Sequence, residues 1–590
     1  MIVDDSTAMS AFALSVHRRR RMMPSSAAKR TVSWSRSTLL TLMLIGCAWT
    51  SVQPVQAAQP AAVAVSDAFG AQAAQEILDA GGNAVDAAVA IGFTLAVTYP
   101  EAGNLGGGGL ATVLMGGQEY FLDYREQAPG AATRDMYLDQ AGNIVPDAST
   151  IGAKAVAVPG TVAGLWALHQ RFGHLPWARD LEPAIRYAHD GFRVSAMLAQ
   201  ERDESAKSLA GRTNFARFFS GMHTNEAFRQ PQLEATLRRI AQNGAREFYE
   251  GTTATLIARE MTRDHGLINA ADLKQYRVHW RAPLAGDWEG FHVITAPLPS
   301  SGGIALLSML TMKADLAPDF SGVALNSAQY VHLLAEIEKR VFADRADYLG
   351  DPDFTAAPVA ALLAPDYLKR RAAEVSLDRP TPTTAVHAGL TQHHDTTHFS
   401  IVDHDGNAVS NTYTLNDDFG SGVVVDGAGF LLNNEMDDFS SKPGTPNIYG
   451  VVGSAANAIA PGKRPLSTMT PTILTSHGEV AVVIGTPGGS RIATSVFQVL
   501  TDWHDFHLPL AEAVAAPRIH HQLLPPDTLF QEPYAGVTTA VRAQLETRGY
   551  HLVNQGWNGD IQAITCAADQ CQAAADPRGR GVALVLAAKH

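Results

Sequence analysis

From Thr397 the chain reads Thr397-His398-Phe399-Ser400-Ile401-Val402-Asp403, then His404-Asp405-Gly406, then Ala408-Val409-Ser410-Asn411-Thr412-Tyr413-Thr414. Two runs of period two around an Asp-Gly pair predict a β-hairpin. A second strand is expected at 480–484, Val480-Ala481-Val482-Val483-Ile484, which ends in Gly485-Thr486-Pro487-Gly488-Gly489-Ser490-Arg491. Upstream the texture differs. Ala68 to Leu78, stopped by Gly81-Gly82-Asn83, and then Ala84-Val85-Asp86-Ala87-Ala88-Val89-Ala90 read as two helices joined by a glycine turn, the second made of small residues that suit close packing. Residues 155–275 alternate helical stretches with polar turns, and 325–375 is again helical. Helices mostly before 396 and around 492–515, with strands concentrated after 396, predict helices covering stacked sheets.

Composition narrows the class. The chain has 590 residues, 46% hydrophobic and 17% charged, which is globular material rather than a disordered or fibrous chain. Its formal charge of −13 argues against a nucleic-acid partner. Three cysteines exclude a disulfide scaffold and any multi-cysteine zinc or iron–sulfur site. The first 57 residues run against the acidic trend, with Arg18 to Arg21, Lys29, Arg30 and Arg36 against Asp4 and Asp5. They lead into the apolar run from Leu39 to Gly46, too short to span a bilayer, and the small-residue site Val55-Gln56-Ala57. That order is the order of a secretory signal. Leu44-Ile45-Gly46-Cys47 also reads as a lipoprotein processing box that would keep a tether on Cys47, and a buried N-terminal helix is the bland alternative. No second apolar span follows. Cys566 and Cys571 remain, and two readings stay open: a pair across a tight turn in an oxidising compartment, or two unpaired surface thiols.

The segment Gly103-Asn104-Leu105-Gly106-Gly107-Gly108-Gly109 lacks the Lys-Ser/Thr ending of a P-loop and the acidic partner of a dinucleotide fingerprint, so close backbone packing is the better account. His393-His394, His398 and His520-His521 lack the spacing of a zinc protease and read as surface or packing residues. No G-x-S-x-G elbow is present. Two features carry chemistry. Adjacent N–H groups at Gly488-Gly489 can aim at one oxygen, as an oxyanion hole requires. Thr396, in Asp395-Thr396-Thr397-His398, starts a strand behind a polar linker. A threonine hydroxyl needs a base, and scission before Thr396 would supply one in the new α-amine, whose reference pKa is about 7.7–8.0.

Several stretches occur in the order found in the bacterial γ-glutamyltransferases, over about 60–590: ILDAGGNAVDAAVA, GNLGGGG, LDYREQAP and PLPSSGG upstream, then TTHFSIVDHDGNAVSNTYTLN, LLNNEMDDFSSKPGTPNIYG, KRPLSTMTPTI and IGTPGGSRI. The chain resembles that family. The resemblance implies an N-terminal nucleophile hydrolase with a four-layer αββα fold, an α/β (α+β) class, made as one precursor that cuts itself at Asp395–Thr396. Thr396 is then the nucleophile, Thr414 the hydroxyl supporting it, and Gly488 and Gly489 the oxyanion hole. Arg125, Ser467 and Thr468 match the contacts to the glutamyl carboxylate, where an Arg fork binds bidentately. Asn416, Glu435 and Asp438 match the contacts to its ammonium, and Tyr449 matches an aromatic lid residue on a turn-rich surface loop at 438–450. Many relatives have Ser where Thr468 stands, and some have Gln at Glu435. Asp438 favours γ-glutamyl over glutaryl substrates.

The expectation is therefore a signal segment at 1–57, a large subunit at 58–395 and a small subunit at 396–590, paired as a periplasmic heterodimer. It would cleave glutathione and other γ-glutamyl compounds and pass the glutamyl group to water or to amino-acid and dipeptide acceptors, with no metal or organic cofactor. Two rival readings are a family acylase acting on glutaryl or cephalosporin-type amides and an uncut, catalytically silent extracytoplasmic binding protein.

Overall fold

The computed structural model describes residues 59–386, 395–442 and 454–588, apart from 534, 557 and 569, with the backbone alone at 346, 347, 384, 395 and 396. The signal segment with Cys47, the histidines at 393 and 394, and Tyr449 lie outside the described residues.

Among the described residues, thirteen strands form the two large sheets. In chain order they are β1 (Ala61–Val65), β2 (Gly108–Met115), β3 (Gln118–Tyr124), β4 (His279–Arg281), β5 (Leu284–Trp288), β6 (Phe291–Thr295) and β7 (Asp395–Val402). There follow β8 (Ala408–Asn416), β9 (Thr472–Ser476), β10 (Glu479–Gly485), β11 (Gln562–Ala567), β12 (Gln570–Ala575) and β13 (Val582–Leu586). The first sheet has the order β13-β1-β7-β8-β2-β3-β4 and the second β12-β11-β10-β9-β6-β5, antiparallel throughout. The expected hairpin is β7–β8, closing with Val402 opposite Ala408. Both sheets combine strands from before and after residue 396, so neither half of the chain completes a sheet by itself.

Alternation along each strand separates three apolar layers. Val63 and Val65 of β1 face the helices α1 (Ala68–Asp79), α2 (Ala84–Thr98), α3 (Thr161–Phe172) and α4 (Trp177–Asp190), while Ala62 and Ala64 face the second sheet. Leu114, Ile294, Val402, Ile473, Val483 and Ile564 fill that layer between the sheets. On the far side Val482 and Ile484 of β10 pack under α5 (Gly302–Asp315), α6 (Ala328–Tyr348) and α7 (Arg491–Asp505). The result is the αββα stack. All fifteen residues of α2 are buried, as its small side chains allow, and Asn83 with Asp86 forms a capping box at its start.

Candidate active site

The expected nucleophile lies where the central hairpin breaks register. Tyr413 pairs with Thr397 and Asn416 with Asp395, so Thr414 and Leu415 together oppose Thr396 alone. Two residues against one is a β-bulge, which re-aims side chains. Asn416 completes it with a positive φ of 86°, and the Asn416 N–H donates to Thr414 Oγ1 at 2.7 Å. Thr414 is thereby brought opposite Thr396.

The bulge is buttressed by the glycine-rich segment before β2. Asn104 Nδ2 donates to the carbonyl of Thr414 (2.9 Å), and its Oδ1 accepts from Gly107 N (2.9 Å) and Thr161 Oγ1 (2.6 Å). A Cβ at Gly107 would lie 1.9 Å from the Thr414 carbonyl, so only glycine fits. Asn104 was not among the expected residues; the polar residue inside a glycine run was the available signal.

A second group forms around Arg125, which leaves the end of β3 and is 1% exposed. Its guanidinium bonds Glu435 and Asp438 through separate nitrogens and lies 3.4 Å from Glu126. Glu435–Asp438 is a single 3₁₀ turn, in which residues three apart eclipse, so both acids face the same way. Burial works against the charge on Arg125, but Glu435, Asp438 and Glu126 outweigh it and raise its pKa. Burial raises the Glu435 carboxyl well above its ordinary range, with Glu126 and Asp438 adding to the effect, and it raises Glu126 to about 7. Among the described residues Glu435 Oε2 and Glu126 Oε1 have no hydrogen-bond partner. Glu126 is a further member that the sequence reading passed over. Asn416 ties this group to the bulge, because its Nδ2 donates to the carbonyl of Asn434 at 3.0 Å while its buried Oδ1 has no partner among the described residues.

The remaining expected residues meet on a third segment. Ser467 N donates to Pro299 O (2.8 Å), and its carbonyl accepts from both N and Oγ of Ser301 (2.8 Å each), so the PLPSSGG stretch clamps it. Arg345 Nε donates to that Ser301 hydroxyl at 2.7 Å. Ser467 Oγ accepts from Met469 N (3.1 Å). Arg125 Nε reaches the same segment at Pro465 O (3.4 Å). Thr468 Oγ1 donates to the carbonyl of Gly489 at 2.8 Å.

Gly488 (φ 130°) and Gly489 (φ 60°) turn the chain from β10 into α7, in backbone that favours glycine. The turn leaves the second sheet beside the start of β7, since a Cβ at Gly485 would meet the His398 ring at 2.3 Å. Ser490, next in the chain, is held by His520 Nε2 (3.2 Å) and Gln522 Oε1 (3.1 Å). His398, His520 and His521 are all fully buried, as packing residues would be. The loop after Asp438 departs from expectation in its first part: Phe439, Ser440 and Ser441 are buried rather than on the surface, because Ser440 bridges to Ala458 and Phe439 packs with Met436 and Ile459.

The family model for gamma-glutamyltranspeptidase matches residues 70–586. The chain belongs to that family. It is 61% identical over 526 residues to a glutathione hydrolase proenzyme of Pseudomonas aeruginosa, covering 89% of this chain and 94% of that protein. A glutathione hydrolase proenzyme of Escherichia coli is 42% identical over 535 residues, covering 89% and 91%. Among solved structures, a cephalosporin acylase from Bacillus halodurans superposes with a TM-score of 0.78 at 27% identity, over 90% of this chain and 96% of that one. A gamma-glutamyltranspeptidase chain from Pseudomonas nitroreducens, complexed with L-DON, gives 0.54 at 55% identity, over 55% of this chain and 96% of that one. The αββα stack is the fold this gamma-glutamyltranspeptidase family shares with its acylase relatives.

Proposed function

We propose that the chain is a glutathione hydrolase and γ-glutamyltransferase matured by scission of the Asp395–Thr396 bond into residues 58–395 and 396–590. The observation that carries this reading is the Arg125–Glu435–Asp438 group, a buried cation and two buried anions joined through Asn416 to the bulge opposite Thr396. A γ-glutamyl group carries a carboxylate and an ammonium on one carbon. Such a zwitterion can take over both halves of this group, its carboxylate pairing Arg125 and its ammonium pairing Glu435 and Asp438, with no change in net charge. Ser467 would add a hydroxyl on the carboxylate side, while the Thr468 hydroxyl would steady the glycine turn through the Gly489 carbonyl.

In the proposed reaction Thr396 Oγ attacks the γ-carbonyl carbon and its proton passes to the Thr396 α-amine, supported by the Thr414 hydroxyl. The oxyanion so formed accepts from Gly488 and Gly489. Collapse breaks the C–N bond, the leaving amine takes the proton, and a glutamyl ester of Thr396 remains. Water or the amine of an amino acid or dipeptide then attacks the ester and restores Thr396. The two fragments would stay together as a heterodimer, because both sheets draw strands from either side of the cut. A lid role for Tyr449 rests on the resemblance alone. Placement outside the cytoplasm, in the periplasm or tethered there through Cys47, rests on the N-terminal signal pattern. The Cys566–Cys571 disulfide supports it, as disulfides persist in oxidising compartments.

A denaturing gel with N-terminal sequencing of the purified protein tests the reading, combined with turnover of γ-glutamyl and glutaryl p-nitroanilides. Two fragments are expected, the smaller beginning Thr-Thr-His-Phe, with preference for the γ-glutamyl substrate. Thr396→Ala should remain one inactive chain. An intact wild-type chain with full activity overturns the mechanism, an intact silent one favours the binding-protein reading, and a glutaryl preference favours the acylase reading.

A further inference from the structure

At the opposite end of the first sheet from Thr396, the helical layer holds a buried carboxylate that no hydrogen bond satisfies among the described residues. Asp180 on α4 is fully buried, and neither of its oxygens has a hydrogen-bond partner among the described residues. Its Oδ2 points at His169 of α3, 3.7 Å from Nε2. The same Nε2 lies 2.9 Å from the carbonyl of Leu175. Asp86, in the first turn of α2, closes the group, and one ligand atom from each of Asp86, His169 and Asp180 lies within 4.8 Å of the other two. Asp86 accepts from three backbone N–H groups, those of Asn83 (2.9 Å), His174 (2.9 Å) and Leu175 (3.2 Å). A carboxylate offers about four lone-pair sites, so about one is left for the cluster.

A protonated His169 would offset one of the two acids and leave the other unbalanced. Two buried acids stand together, and among the described residues no Lys or Arg forms an ion pair with either; Arg179, the nearest in sequence, turns outward to Glu76 and Glu182. A proton would neutralise Asp180, but its O–H would then find no acceptor within hydrogen-bond reach among the described residues. A dipositive ion balances both acids at once.

We propose that Asp86, His169, Asp180 and the Leu175 carbonyl bind a divalent first-row transition metal ion, of the zinc or manganese kind. An imidazole among oxygen donors suits these ions better than calcium or magnesium, which favour oxygen alone. Ligands about 2.1 Å from one ion lie at most about 4.2 Å apart. The 3.7 and 2.9 Å spacings already comply, and the Asp86 side closes with a small shift. Trp166 and Trp177 flank the His169 ring with centroids at 6.2 and 5.2 Å and wall the site with apolar surface. The ion would lock α2, α3 and α4 together. It takes no part in the reaction: Asp403, which bonds the first residue of α2, is seven residues along β7 and its turn from Thr396, about 23 Å at strand rise.

The test is the metal content of untagged full-length protein, followed by thermal unfolding of chelator-treated protein with added Zn²⁺ or Mn²⁺. Near-stoichiometric metal is expected, together with a rise in Tm of about 2–3 °C at metal well above its Kd. Asp180→Asn and His169→Gln should abolish both while γ-glutamyl turnover at low temperature is kept. Trace metal in the wild type with no shift from either ion overturns the proposal and leaves Asp180 as a protonated acid. So does a shift that survives Asp180→Asn. Should the variants fail to fold, metal content and shift of the wild type decide alone.

Discussion

Replacing Asp438 by Asn separates recognition of an ammonium from every other task of the pocket. Asp438 is 3% exposed and shares the Arg125 guanidinium with Glu435, with Glu126 beside it. Two carboxylates therefore remain around Arg125 in the variant, and the amide keeps the volume, so the fold and self-cleavage should survive. The substrate ammonium, however, enters a buried site with one anionic partner gone. Truncating one member of a buried charge pair costs about 2–5 kcal/mol. At about 1.4 kcal/mol per tenfold, that is roughly 30- to 5,000-fold in kcat/KM. Glu435 still faces the ammonium, which sets the expectation at the lower end, about 30- to 300-fold. The assay is kcat/KM for γ-glutamyl-p-nitroanilide beside glutaryl-p-nitroanilide, which lacks the ammonium, on protein shown by gel to be processed. Loss on the first with little change on the second is the expected result. Equal losses on both would refute the argument and make Asp438 a structural acid.

Thr468→Val removes the hydroxyl that bonds the Gly489 carbonyl. One neutral hydrogen bond is worth about 1 kcal/mol, so kcat should fall about fivefold with KM little changed; a raised KM at constant kcat would place that hydroxyl on the substrate instead. Cys566 and Cys571 pair directly across β11 and β12, five residues apart in sequence. So small a loop gives about 2 kcal/mol of chain-entropy stabilisation, and the double Ser variant should melt about 2 °C lower by calorimetry; an unchanged Tm would show that the bridge does not constrain the unfolded chain. Burial pushes His398 down from 6.5 to about 3. The folded value being the lower, the unfolded chain takes up the proton first, so stability present above pH 6.5 drains away as pH falls toward 3. His398→Asn should flatten the slope of urea-derived stability over that window by up to about 1.4 kcal/mol per pH unit, and an unaltered slope would count against the burial argument.

Local patterning made much of the architecture readable. Period-two runs around Asp405-Gly406 specify the β7–β8 hairpin wherever it sits, because a turn of that chemistry admits one register. Small residues through 84–90 suit close packing, and the structure buries the whole helix 84–98. The motifs matched to the family placed Arg125, Glu435, Asp438, Ser467 and the glycine pair in order along the chain. Other facts depend on residues distant in sequence and have no local signature. Asn104 acts on Thr414 from 310 positions away, and Ser301 on Ser467 from 166. The pairing of the two cysteines was undecidable until β11 and β12 put them in register. The acids at Glu126, Asp86 and Asp180 looked like ordinary charged positions, because burial is a property of the packed layers and not of the residue.

By itself, then, the sequence determined which segments become strands and helices, since side-chain periodicity and turn chemistry act within a few residues. It also determined, through its motif order, which family the chain joins. Tertiary structure alone decided which polar groups lose water together. Arg125 meets Glu435 and Asp438 only when the end of β3 is packed against a 3₁₀ turn about three hundred residues later. Thr396 faces two residues of β8 only because the bulge closes between Tyr413 and Asn416. Charge, once desolvated, interacts far more strongly than in water, so the chemistry of the site is set by those long-range contacts.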